Sequence, residues 1–203
     1  MWSRLTNMLE LRIRGVDVQL SLLFPAAVVV LLSLDPSGMP LWCIAASLMH
    51  EAGHFLALFA LGSRPAAVSV GVFGVRLRQD PAARLSYGGS LLVSLAGPSV
   101  NLLTFAVLAA TVGPAAVPAL IHLTMGAFNL LPVGPLDGGQ ALTFALASRW
   151  GEDRAEQLVQ AVSIAALILL VTAGAYFLIR SGYNFTLLAV SLYLGLLLLF
   201  KKR

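Results

Sequence analysis

Charge is scarce in this sequence. Only 11% of its 203 residues are Asp, Glu, Lys or Arg, less than half the roughly 25% that hydrates the surface of a soluble domain. Hydrophobic residues make up 59% and the mean hydropathy is +0.89. These values exclude a water-soluble globule and predict a chain embedded in lipid. Cysteine is almost absent: Cys43 alone rules out an intrachain disulfide and is read as a small helix-packing residue. A formal charge of +4 does not make a nucleic-acid binder, because the 13 basic residues are scattered between apolar segments instead of forming one patch. No small-residue cleavage pattern follows Leu34, so the first apolar segment is expected to remain as a span although Arg4, Arg12 and Arg14 precede it.

What is abundant is long apolar runs. Six lie near residues 18–34, 39–61, 91–111, 115–147, 155–179 and 185–200, measured against about 20 residues for roughly 30 Å of hydrocarbon. The expectation is an all-α polytopic membrane protein with about six transmembrane helices, one domain over residues 1–203. If the chain starts in the cytoplasm, every basic residue except Arg180 falls on the cytoplasmic side. That asymmetry requires an even number of crossings with both termini cytoplasmic, in what is expected to be a bacterial cytoplasmic membrane. Trp42, Trp150 and Tyr183 are expected to anchor helix ends at the interface. Two stretches outside the spans read as strands, Glu10 to Leu20 and Val68 to Leu91, the second turning at Gln79-Asp80-Pro81-Ala82. They predict a small sheet at the cytoplasmic membrane surface, whose edge could take up an unwound peptide by strand addition.

Two places break the apolar pattern in ways that suggest chemistry. Inside the second run stands His50-Glu51-Ala52-Gly53-His54. Two imidazoles four residues apart share one helix face and can ligate one zinc ion, while the glutamate between them can activate water. Ionisable groups at membrane depth are costly, about 2.5–3.5 kcal/mol for an aspartate on insertion scales, so they mark function by default. The second place is Asn129-Leu130-Leu131-Pro132-Val133-Gly134-Pro135, where two prolines and a glycine interrupt the fourth run and a new helix is expected near Asp137. Non-helical backbone survives at that depth only around an enclosed or wet site. A hydrolytic zinc needs a third protein ligand. Asp137, His122 and, more remotely, Asp35 can supply it. Asp137 is preferred, because it opens a helix beside Gly138 and Gly139 and its carboxylate offsets the charge of a dication. His122, about four turns away along the same run, is read as a packing histidine.

With these motifs in view, the chain resembles the site-2 protease family of intramembrane zinc metalloproteases, and within it the compact six-span bacterial branch that includes the sporulation sigma-factor processing enzyme. The resemblance rests on His50-Glu51-Ala52-Gly53-His54, Ala96-Gly97-Pro98-Ser99-Val100-Asn101 and Asn129 through Asp137-Gly138-Gly139, all within residues 39–140. It implies one Zn2+ held by His50, His54 and Asp137, with Glu51 as general base. It implies that Asn129 contacts the unwound substrate or the developing oxyanion. Asn101 is open to either close helix packing or a substrate contact. The implied partners are a transmembrane protein substrate, the lipid bilayer and a membrane regulatory protein, with no nucleic acid. No nucleotide-sensing or PDZ domain is expected in the chain. A metal-ion transporter and a catalytically silent membrane scaffold are the alternatives. Glu51 speaks against both, since base catalysis needs it and neither alternative does.

Overall fold

A computed structural model describes residues 8–13, 16–21, 23–35, 37–63, 65–71, 74–79 and 85–200. The chain runs β1 (Met8–Ile13), β2 (Val16–Ser21), α1 (Leu23–Leu34), α2 (Met39–Ala60), β3 (Pro65–Gly71), β4 (Gly74–Gln79), α3 (Tyr87–Thr111), α4 (Val117–Asn129), α5 (Asp137–Trp150), α6 (Glu152–Ser181) and α7 (Thr186–Phe200). Among the described residues, α2, α3 and α6 are long and apolar enough to cross a membrane, and α7 is a shorter apolar helix. Their outward faces carry large apolar side chains such as Leu103, Leu169, Ile179 and Leu199. In water such a surface would drive association; in lipid it costs nothing.

The four strands form one mixed sheet in the order β1-β2-β3-β4. Antiparallel pairing joins β1 to β2 and β3 to β4, and β2 runs parallel to β3, with Asp17–Leu20 opposite Ala67–Val70. Three details differ from the sequence reading. The apolar run at 18–34 starts in a strand, because Val16–Ser21 alternates in the two-residue period that pairs with β1. The reversal between β3 and β4 lies between Gly71 and Gly74, which face each other across the pair, and not at Gln79–Ala82; of that expected turn, Asp80, Pro81 and Ala82 are outside the described residues. Tyr87 to Leu91, expected as strand, opens α3 instead, because the Ser86 hydroxyl accepts the Gly89 amide and caps the helix.

Helix α2 begins at a turn built by Asp35, Ser37 and Gly38. The Ser37 amide donates to Asp35 Oδ1 at 2.9 Å and the Met39 amide donates to Ser37 Oγ at 3.2 Å. Gly38 takes φ +79°, a conformation that side chains with a Cβ rarely adopt. The Ser37 hydroxyl and amide hold the Asp35 carboxyl below the usual carboxylate range. Farther along, α2 and α3 cross at small residues. A Cβ on Gly53 would lie 2.8 Å from the Ala96 carbonyl oxygen and 2.9 Å from Val100 Cγ2, so only glycine allows this approach. On the other side of the molecule, Val133, Leu167 and Leu194 form a buried apolar cluster that ties the connection between α4 and α5 to α6 and α7.

Candidate metal centre

One turn of α2 separates His50 from His54, and their rings meet edge to face with centroids 4.8 Å apart. Both are buried, 7% and 8% exposed. Asp137, the first residue of α5, completes a triangle. His50 Nε2 lies 2.9 Å from Asp137 Oδ2, His54 Nε2 lies 3.4 Å from the same oxygen, and the two Nε2 atoms are 3.1 Å apart. In a tetrahedral zinc site with bonds of about 2.0–2.1 Å, neighbouring donor atoms are about 3.3 Å apart. The three atoms therefore fit one small divalent ion, and nitrogen-nitrogen-oxygen is a donor set zinc accepts. Among the described residues, no other group of His, Cys, Asp or Glu comes together in this way.

Each donor is fixed by its surroundings. The Val93 carbonyl oxygen lies 2.7 Å from His54 Nδ1. A carbonyl can only accept, so Nδ1 carries the proton and Nε2 presents its lone pair to the cluster. Gly97 of α3 lies against both rings. A Cβ there would stand 2.7 Å from His54 Cε1 and 2.8 Å from His50 Nε2, and closer still to His54 Nε2. Asp137 is set by irregular backbone. After α4 ends, the Val133 amide donates to the Leu131 carbonyl and the Leu136 amide to the Val133 carbonyl, both at 2.8 Å. Gly138 and Gly139 then seat α5 on that connection, since a Cβ on either would collide with the carbonyl of Leu130 or Val133. Ser163 of α6 fastens the middle of it: its hydroxyl accepts the Gly134 amide at 2.9 Å and donates to Val159 O at 2.6 Å. A carboxylate in the first turn of α5 also faces the positive end of the helix dipole.

The other expected residues fall in different places. Glu51 is half-buried next to the triangle, close enough for its charge to interact with His54, His50 and Asp137. Asn101 is fully buried, 3.4 Å from His50 Nδ1 through its amide nitrogen. Asn129 is outside the triangle, at the end of α4; its amide donates to Met125 O at 3.0 Å. It lines a groove of ≈ 530 Å³ between α2 and α4, with Met39, Cys43, Thr124, Met125 and Phe128 on its walls. Cys43 is thus exposed along this groove and does not serve helix packing as expected. His122 is 3% exposed on α4 and Asp35 serves the turn before α2; neither joins the triangle. Trp42, Trp150 and Tyr183 are exposed at or beside helix ends. Sequence reasoning missed the supporting roles of Val93 and Ser163. A backbone carbonyl leaves no trace in residue identity, and one serine in an apolar helix is a faint signal.

Residues 110–170 match Peptidase family M50, a stretch that contains the interrupted segment and Asp137. The matched stretch, 61 of the 203 residues, makes the chain similar to that family. Among curated proteins, "Putative zinc metalloprotease Rip3" of Mycobacterium tuberculosis is 28% identical over 169 residues, which cover 76% of this chain and 42% of that protein. Zinc metalloprotease MJ0392 of Methanocaldococcus jannaschii is 22% identical over 199 residues, covering 90% of this chain and 56% of that one. The chain therefore spans about half the length of these relatives. Its fold matches that of the Site-2 Protease from Methanocaldococcus jannaschii with a TM-score of 0.66 at 21% identity, over 97% of this chain and 95% of the other. Among the described residues, three helices are long and apolar enough to cross a membrane, which with the mean hydropathy of +0.89 marks a membrane protein.

Proposed function

We propose that this chain is an intramembrane zinc metalloprotease of the site-2 protease type that hydrolyses peptide bonds in or near transmembrane segments of other proteins. The observation that carries this reading is the meeting of His50 Nε2, His54 Nε2 and Asp137 Oδ2 within 2.9–3.4 Å of one another, beside Glu51. One Zn2+ held by these three side chains supplies Lewis acidity and makes water acidic enough to ionise near pH 7. Glu51 takes the proton of the attacking water and returns it to the leaving amine.

A helical substrate has its amides hydrogen-bonded and shielded, so it must unwind before attack, aided by helix-breaking residues of its own. Asn129 stands where such a strand can be met, at the end of the groove between α2 and α4. Six crossings with cytoplasmic termini, and the sheet at the cytoplasmic surface, agree with the distribution of basic residues. On this topology the cleaved fragment leaves on the cytoplasmic side, as in regulated release of a membrane-tethered factor, and a membrane regulatory partner governs access. The test is Glu51→Gln co-expressed with a single-span membrane reporter carrying helix-breaking residues. Cleavage should fall by about 10²–10⁴-fold while zinc content is retained. Undiminished cleavage would overturn the assignment of the base.

A further inference from the structure

The two histidines of the triangle are not equally provided for. Both offer Nε2 to the cluster, so each ring must carry its single proton on Nδ1 when the Nε2 lone pair is given to a cation. A buried Nδ1–H needs an acceptor, because leaving one without forfeits the hydrogen bond it would make with water. His54 has its acceptor in the Val93 carbonyl at 2.7 Å. For His50, the polar group against Nδ1 is the Asn101 side-chain amide at 3.4 Å. Asn101 is 0% exposed, on the turn of α3 that follows Gly97. Its Oδ1 is buried and meets no hydrogen-bond partner. Oxygen and nitrogen of an asparagine amide have nearly the same size, so a half-turn exchanges them within the same space. With Nδ2 toward the ring, a protonated Nδ1 would meet another donor. With Oδ1 toward it, both needs are met: Nδ1–H gains an acceptor and the orphaned oxygen gains a donor.

We infer that Asn101 is the positioning residue of His50, presenting Oδ1 to the Nδ1 proton so that Nε2 is held as a metal donor. This rests on the reading of the triangle as a zinc site. The counterpart of a backbone carbonyl on one histidine is thus a side-chain amide on the other, and both come from α3. Helix α3 supplies no ligand of its own, yet it orients both imidazoles and, at Gly97, leaves room for them.

The experiment measures zinc affinity of the purified full chain by competition with a chromogenic chelator, for the native protein, Asn101→Asp and Asn101→Leu. The absorption of the Co2+-loaded forms is recorded alongside. Leucine keeps the branching, with a larger side chain, and removes the acceptor; ionised aspartate can only accept. The Leu variant should bind zinc about 10–100-fold more weakly, with altered Co2+ bands, and the Asp variant should bind as tightly as the native chain or tighter. Equal affinity for all three, or a tenfold or greater loss in a folded Asp variant, overturns the assignment. If the Leu variant does not yield monodisperse protein, the Asp variant decides by itself, because a residue needed as a donor would fail there. A native chain that binds no zinc overturns the metal reading and this inference with it, whereas native binding with an indifferent position 101 overturns the inference alone.

Discussion

Helix α2 delivers His50 and His54 through its own hydrogen-bonded turns, whereas Asp137 reaches them only because Leu130 to Leu136 leaves helical geometry and is held there by other parts of the chain. The helical arm is local: an i, i+4 spacing places both rings on one face wherever the helix goes. The irregular arm is distributed over Gly138 and Gly139, the Ser163 hydroxyl and the Val133 cluster on α6 and α7. The same cluster therefore has one side that depends on sequence spacing and another that depends on tertiary packing. Substitutions remote from the ligands should be felt mainly through Asp137.

Removing a ligand from either arm is the strongest way to break this contrast. His50→Ala and Asp137→Ala should each weaken zinc binding by more than about a hundredfold, since roughly 10–16 kcal/mol of affinity is shared among four ligands in structural zinc sites. Metal analysis of purified protein decides it. Full zinc in Asp137→Ala would remove the irregular arm from the site, and loss of metal in His122→Ala instead would move the third ligand to α4. Next comes the seat of α5. Gly139→Ala drives a Cβ into the Val133 carbonyl, and overpacking of this kind costs about 1–3 kcal/mol, or about 2–12 °C in Tm for a chain of this size. Zinc affinity should fall with it. The mildest change is Ser163→Ala, which strips the buried Gly134 amide of its acceptor at a cost of about 1–3 kcal/mol. Calorimetry should show a lower Tm, with zinc weakened less than in Gly139→Ala because the backbone is not pushed aside. A Ser163→Ala variant that loses zinc as completely as His50→Ala would erase the distinction between supporting and ligating residues.

The legibility of the sequence follows the same division. His50, Glu51 and His54 could be read because helical spacing alone brings them together. The break before Asp137 could be read because Pro132 and Pro135 cannot donate amides to a continuing helix. Asp137 as a ligand was preferred by its chemistry, and the structure places its Oδ2 at the two Nε2 atoms. The lengths of α3 and α6, both beyond the apolar run at one or both ends, were hidden by polar and small residues such as Ser86 and Glu152 that start helices without being apolar. The turn between β3 and β4 was misplaced because Pro81 gave a stronger local signal than Gly71 and Gly74. What no window of sequence reveals is which distant group meets which: Ser163 with Gly134, or Asn101 with His50. Those pairs exist only after helices pack.

The groove between α2 and α4 carries a chemical handle of its own. Cys43 is the only thiol in 203 residues and lies open along that wall, one turn into α2 and less than two turns before His50. A maleimide or nitroxide attached to the unaltered chain would land at this single address, without engineered background. Protection from alkylation would then register an occupant of the groove directly, even in a variant that cannot cut.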